Sequence, residues 1–97
     1  MILREHETPK GLLVSVCDAE VLGETFEQGD ASLTVEEEFY GGDTADPETV
    51  LESLRRAHIA NLVGVEVVRL AIEHGFVDEA NVLDIGETQH AQMMRLS

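Results

Sequence analysis

The sequence predicts an α+β domain: an antiparallel sheet of about five strands with two central helices packed on one face. Three observations carry that expectation. Short apolar runs of strand length, bounded by turn residues, lie at both ends of the chain. Two stretches with helical spacing of apolar residues fill the middle, the first opening on Asp46-Pro47. The strands at each end are joined by loops short enough to be hairpins, which makes their pairing antiparallel.

In chain order, Ile2 to Glu7 reads as a strand and Thr8-Pro9-Lys10-Gly11 as a turn. Leu12 to Val16 is a second strand that pairs back on the first. Ala19 to Gly23 fits one helical turn, and Glu27 to Asp30 a loop. Ala31 to Glu37 alternates, with Leu33 and Val35 on one face and Ser32, Thr34 and Glu36 on the other, the pattern of a half-buried strand. Asp46 can cap free amides, and Pro47 at the first helical position gives up no hydrogen bond. Val50, Leu51, Leu54 and Ala57 then share a face. Asn61 interrupts this stretch and is expected to cap the second helix. Val63 to His74 is apolar nearly all round, so it is expected to be the more buried helix, closed by Gly75. Val82 to Ile85 and Ala91 to Leu96 complete the sheet as a second hairpin, for an order of β-β-β-α-α-β-β.

Ninety-seven residues suit one domain, spanning 1–97. Apolar residues make up 43%, too many for a disordered chain, and with no Trp, one Tyr and three Phe the core is expected to be aliphatic. Twenty acidic residues against six basic ones give a net charge of −14, and Lys10 is the only lysine. Carboxylates crowded this densely repel one another in the folded state. Molar salt shortens the Debye length to about 3 Å and removes most of that repulsion. The composition therefore points to a protein that works in high salt. A single cysteine excludes an internal disulfide, and neither a signal peptide nor an apolar run of membrane-spanning length is visible, so the chain is expected to be cytoplasmic.

Several residues interrupt the acidic background. Cys17-Asp18 ends the second strand. A thiolate nucleophile needs a lowered pKa and a nearby base, whereas a buried cysteine is a packing residue. Phe39-Tyr40-Gly41-Gly42 joins two aromatic faces, able to stack on a base or ring, to a backbone free to approach a partner; the alternative is a turn with one aromatic in the core. Arg55-Arg56 is the one basic cluster and suits phosphate or carboxylate, or else pairs locally with Glu48 and Glu52. Asn61 is read either as a cap or as a polar group at an anion-binding helix start. His90 and Gln92 share one face of the last strand and either hold a ligand or face solvent. No metal-ligand spacing is present, and no cofactor is implied.

Taken in order, Cys17-Asp18, Leu22-Gly23, Phe39-Tyr40-Gly41-Gly42, Ala60-Asn61-Leu62-Val63-Gly64, Ala71-Ile72 with Gly75, Ile85-Gly86 and His90-Ala91-Gln92 resemble the pattern of the archaeal domain of unknown function 424 family. The resemblance covers nearly the whole chain. It implies an archaeal origin, in line with the salt argument. Members are often encoded near the beta subunit of translation initiation factor two, which implies an association with translation by analogy. The expected function is a non-enzymatic binding module contacting the ribosome, RNA or a translation factor, with Phe39 and Tyr40 stacking and Arg55 and Arg56 on phosphate. No membrane and no DNA partner is expected. The alternative is a small enzyme or ligand-binding domain that uses Cys17, Asp18, Asn61 and His90.

Overall fold

The computed structural model describes residues 1–95. In chain order the elements are β1 (Ile2–Thr8), β2 (Gly11–Cys17), β3 (Thr25–Gln28), β4 (Ala31–Thr34), α1 (Glu37–Tyr40), β5 (Asp43–Thr44), α2 (Pro47–Arg56), β6 (Ile59–Val63), α3 (Val65–Glu73), β7 (Leu83–Ile85) and β8 (Thr88–Met94). Single 3-10 turns lie at Ala19–Val21 and Glu79–Asn81. The fold is α+β, as expected, but strand count and order differ. Six strands form one sheet in the order β5-β1-β2-β6-β8-β7, and β3 and β4 form a separate two-stranded sheet. The expected strand Ala91 to Leu96 is β8, and Leu96 lies outside the described residues.

The main correction is β6. The two helices do not adjoin, because Ile59–Val63 runs between them as a strand, parallel to β2 and antiparallel to β8. A strand flanked on both edges and covered on both faces is apolar almost throughout, so its period is hard to tell from that of a buried helix. Asn61 sits in mid-strand, opposite Ser15 on β2 and Gln92 on β8. It is therefore not a helix cap. Gly64 and Asp18 take that role instead.

The stretch Ala31 to Glu37 also departs from expectation. The strand ends at Thr34, Val35 is buried, and Glu37–Tyr40 makes one helical turn. Its partner β3 takes in Glu27 and Gln28, expected as loop, with Thr25 opposite Thr34 and Gln28 opposite Ala31.

Strand alternation divides the core. Leu12, Val14 and Val16 on β2, Ala60 and Leu62 on β6, and Ala91 and Met93 on β8 pack under Val50, Leu54 and Ala57 of the α2 end and Val67, Val68 and Ala71 of α3. Each buried Val, Leu or Met among them contributes about 1.5–3 kcal/mol by leaving water. α3 is amphipathic rather than apolar all round: Val65 is 43% exposed, while Val67, Val68 and Ala71 are buried. The opposite face is not bare, which corrects the expected two-layer packing. At one end of it, Cys17 and Val63 meet Val21, Val35 and Tyr40 in a second cluster, with Phe26, Leu33 and Phe39 against them. No described helix is long and apolar enough to cross a membrane.

Candidate functional site

Register brings several of the sequence-selected residues onto the sheet face opposite α2 and α3. One row across the strands reads Arg4, Ser15, Asn61, Gln92. The next reads Ile2, Cys17, Val63, His90, Leu83. Strands are spaced by about 4.8 Å, so Cys17 and His90, two strands apart, lie about 10 Å from each other. Asn61 and Gln92 are direct cross-strand neighbours, with His90 one alternation away on β8. Burial lowers the His90 pKa, so its ring is neutral at neutral pH.

Cys17 and Asp18 serve the structure. Cys17 is fully buried and its thiol is pushed up to about 11, first by loss of solvation and then by the neighbouring Asp18. A thiol in that state is protonated at neutral pH and is a poor nucleophile. Asp18 is 4% exposed. Its carboxylate oxygens accept from the backbone N–H groups of Glu66 at 2.9 Å and Val67 at 3.0 Å, capping α3 from a segment 48 residues earlier. Its pKa is raised, chiefly by burial, despite those two bonds.

The aromatic pair does not form an open stacking platform. Tyr40 is 5% exposed, and burial pushes its phenol up to about 12. Phe39 is half-buried and lies edge-on to Tyr40, with ring centroids 5.0 Å apart. Its own face is taken by His6, stacked at 5.1 Å. Sequence patterning does not single out His6, although it stands at an inward position of β1. Its Nε2 lies 3.2 Å from the Phe39 carbonyl and 3.3 Å from Ser15 Oγ. The carbonyl can only accept, so that bond puts the ring proton on Nε2, and the nitrogen beside Ser15 cannot act as a base toward it. Gly41 and Gly42 do not use positive φ. Their bare Cα atoms permit close packing within the chain: a Cβ on Gly41 would strike the Glu37 carbonyl, and one on Gly42 the Leu3 carbonyl.

Arg55 and Arg56 lie at the far end of α2, away from the sheet face. Arg55 pairs with Glu52 at 3.4 Å, as the helical spacing anticipates. Arg56 reaches Glu5 on β1 instead of Glu48 or Glu52.

A feature with no motif behind it is an acidic groove of about 360 Å³ beside the start of α3. Five of its nine lining residues carry carboxylates: Asp18, Glu20, Glu24, Glu66 and Glu87. Val21, Phe26 and Val65 supply apolar wall, and no cationic residue lines it. Asp18 feels Glu20 and Glu66 as repulsive neighbours, which adds to the rise in its pKa. The groove is assembled from four separate segments, so linear sequence shows only scattered acids. Among the described residues no group of three or more His, Cys, Asp or Glu is placed to hold a metal ion.

The profile of the family described as "Protein of unknown function (DUF424)" matches residues 6–96. A solved structure titled "Crystal structure of an uncharacterized conserved protein from Methanopyrus kandleri" is similar in fold, with a TM-score of 0.79. The match covers 99% of this chain and 93% of that one at 20% identity, a level that speaks for the fold alone. No curated protein matches the chain.

Proposed function

The chain belongs to the DUF424 family, and we propose that it is a non-enzymatic binding module of the translation apparatus that holds a basic segment of a ribosomal protein or translation factor in its acidic groove. The observation that carries this reading is the groove itself: five carboxylates line it beside an apolar wall. Asp18 is committed to the α3 cap and Glu66 to Arg69 at 2.9 Å, which leaves Glu20, Glu24 and Glu87 without an ion pair among the described residues. A Lys or Arg side chain entering it would lay its methylene stem on Val21, Phe26 and Val65 and its charge among the acids. The translation setting comes from the neighbourhood in which family members are often encoded.

The enzyme reading has less to stand on. Cys17 is buried and protonated, and Asp18 spends both oxygens on the α3 cap. Asn61, His90 and Gln92 remain as neighbours on one sheet face without a nucleophile among them.

Co-sedimentation with ribosomes of the source organism at about 2 M KCl, where bulk charge is screened, tests the proposal. Binding of the wild type, lost in a triple Glu20→Lys, Glu24→Lys, Glu87→Lys variant, supports it. Absence of the wild type from the ribosomal fraction and from its associated factors removes it.

A further inference from the structure

The chain has only six Lys and Arg side chains, and four of them gather at one end of the fold. Lys10 lies in the β1–β2 turn, Arg55 and Arg56 close α2, and Arg95 follows β8. His58, just before β6, stands among them. This is the end where β2 and β6 begin and β8 finishes. The acidic groove lies at the other end, past Cys17 and before Thr88. Seven residues of β2 separate the two by about 20 Å.

Backbone contacts organise this basic end. Arg95 donates from its guanidinium to the Arg55 carbonyl at 3.0 Å, and from its backbone N–H to the His58 carbonyl at 2.8 Å. The His58 ring packs against Gly11, next to Lys10, where a Cβ would collide with it. His58 Nδ1 accepts from the Leu12 N–H at 3.4 Å, so the neutral ring carries its proton on Nε2, as a donor. Among the described residues the Arg55 side chain is held only by an exposed pair with Glu52, a contact of the kind that contributes little and exchanges readily. Several donors of positive or polar character are therefore fixed in place or easily released, in a chain that otherwise carries acid nearly everywhere.

We propose that this end is a docking site for the phosphodiester backbone of RNA, separate from the acidic groove and independent of what the groove binds. The overall charge of −14 argues against RNA binding only where charges act at long range. Two acids stand at this end, Glu52 3.4 Å from Arg55 and Glu5 on Arg56, and a phosphate must compete with them for those guanidiniums. The groove acids lie about 20 Å away, far beyond the Debye length of about 3 Å at molar salt. Arg forks on phosphate are short-range and bidentate, the contacts that persist under such screening.

The probe is a fluorescently labelled single-stranded RNA of about 20 nucleotides, read by anisotropy between about 0.5 and 2 M KCl. With Arg56 tied to Glu5, three cations, Lys10, Arg55 and Arg95, on single-stranded RNA correspond to a slope of log K against log salt of about −2. Binding with that slope, weakened at least tenfold in Lys10→Glu and in Arg55→Gln/Arg95→Gln, supports the proposal; circular dichroism checks that each variant is folded. Lys10 is exposed in a turn, so its variant stays informative if the arginine pair perturbs folding. Three results overturn the proposal: no RNA binding by folded wild type, binding unchanged in Lys10→Glu, or equal binding of poly-glutamate. The groove variant Glu20→Lys/Glu24→Lys/Glu87→Lys retains RNA binding, so loss of the partner at one end and of RNA at the other are distinguishable.

Discussion

Gly64 and Asp18 form one device: a Cβ added to Gly64 would run into the Asp18 carboxyl group that caps α3. Gly64 also holds φ at 127°, a conformation that side chains resist. Asp18 follows the end of β2 and Gly64 the end of β6, and the parallel pairing of those two strands brings them together.

Gly64→Ala is expected to lose at least about 2 kcal/mol, from backbone strain together with displacement of the cap. Urea unfolding at constant salt measures it. A loss below about 0.5 kcal/mol counts against the close approach.

Asp18→Ala is expected to lose about 1–2 kcal/mol as the amides of Glu66 and Val67 go uncapped. Asp18→Asn isolates the titration. Burial raises the Asp18 pKa, so its favourable contribution is whole below the unfolded value and is lost as pH rises through the folded one. The stability advantage of the wild type over Asp18→Asn should therefore shrink as pH rises from below about 4, the ordinary Asp value, through the raised folded value. The opposite trend would show that the amide bonds outweigh burial.

Thr88 is 4% exposed, and its Oγ1 has no hydrogen-bond partner among the described residues. Thr88→Val keeps the branched shape that suits a strand and removes the lone hydroxyl. It should stabilise the fold by about 1 kcal/mol. A destabilised variant in the same unfolding assay would reveal that the hydroxyl is satisfied in solution.

Cys17 should be inert toward a thiol reagent such as Ellman's in the folded protein, since it is fully buried and its thiol titrates at about 11. It should react as the chain unfolds. Rapid labelling under native conditions contradicts the packing of the second cluster.

Stability should rise with salt. The thermal midpoint is expected to climb from about 0.1 M to about 3 M KCl, as self-repulsion among twenty acidic residues is screened. A midpoint that falls over that range would argue against a protein adapted to high salt.

Features set by neighbours along the chain are legible in the sequence. The β1–β2 hairpin, the Asp46-Pro47 helix start with Asp46 accepting from the Thr49 N–H, the positive φ of Gly75 after α3 and the hairpin turn at Gly86 all follow from local spacing and turn chemistry. Local spacing points to Asn61 for the wrong reason, as a cap, yet it stands beside Gln92 and His90 as a cross-strand neighbour. Phe39-Tyr40 reads either as a stacking surface or as a turn with one aromatic in the core, and Tyr40 takes the second course because one helical turn rotates it inward beneath the small sheet.

The sequence by itself determined the class of fold, its family, the aliphatic core and the acidic surface, because composition and short-range periodicity carry them. Tertiary structure alone decided that Ile59–Val63 is a strand, that Asp18 caps a helix 48 residues away, and that acids from four segments form a groove while four cations gather at the opposite end. The reason is physical. A parallel pairing joins residues far apart in the chain, and its hydrogen bonds and charge neighbours exist only once the intervening segments have folded over the sheet.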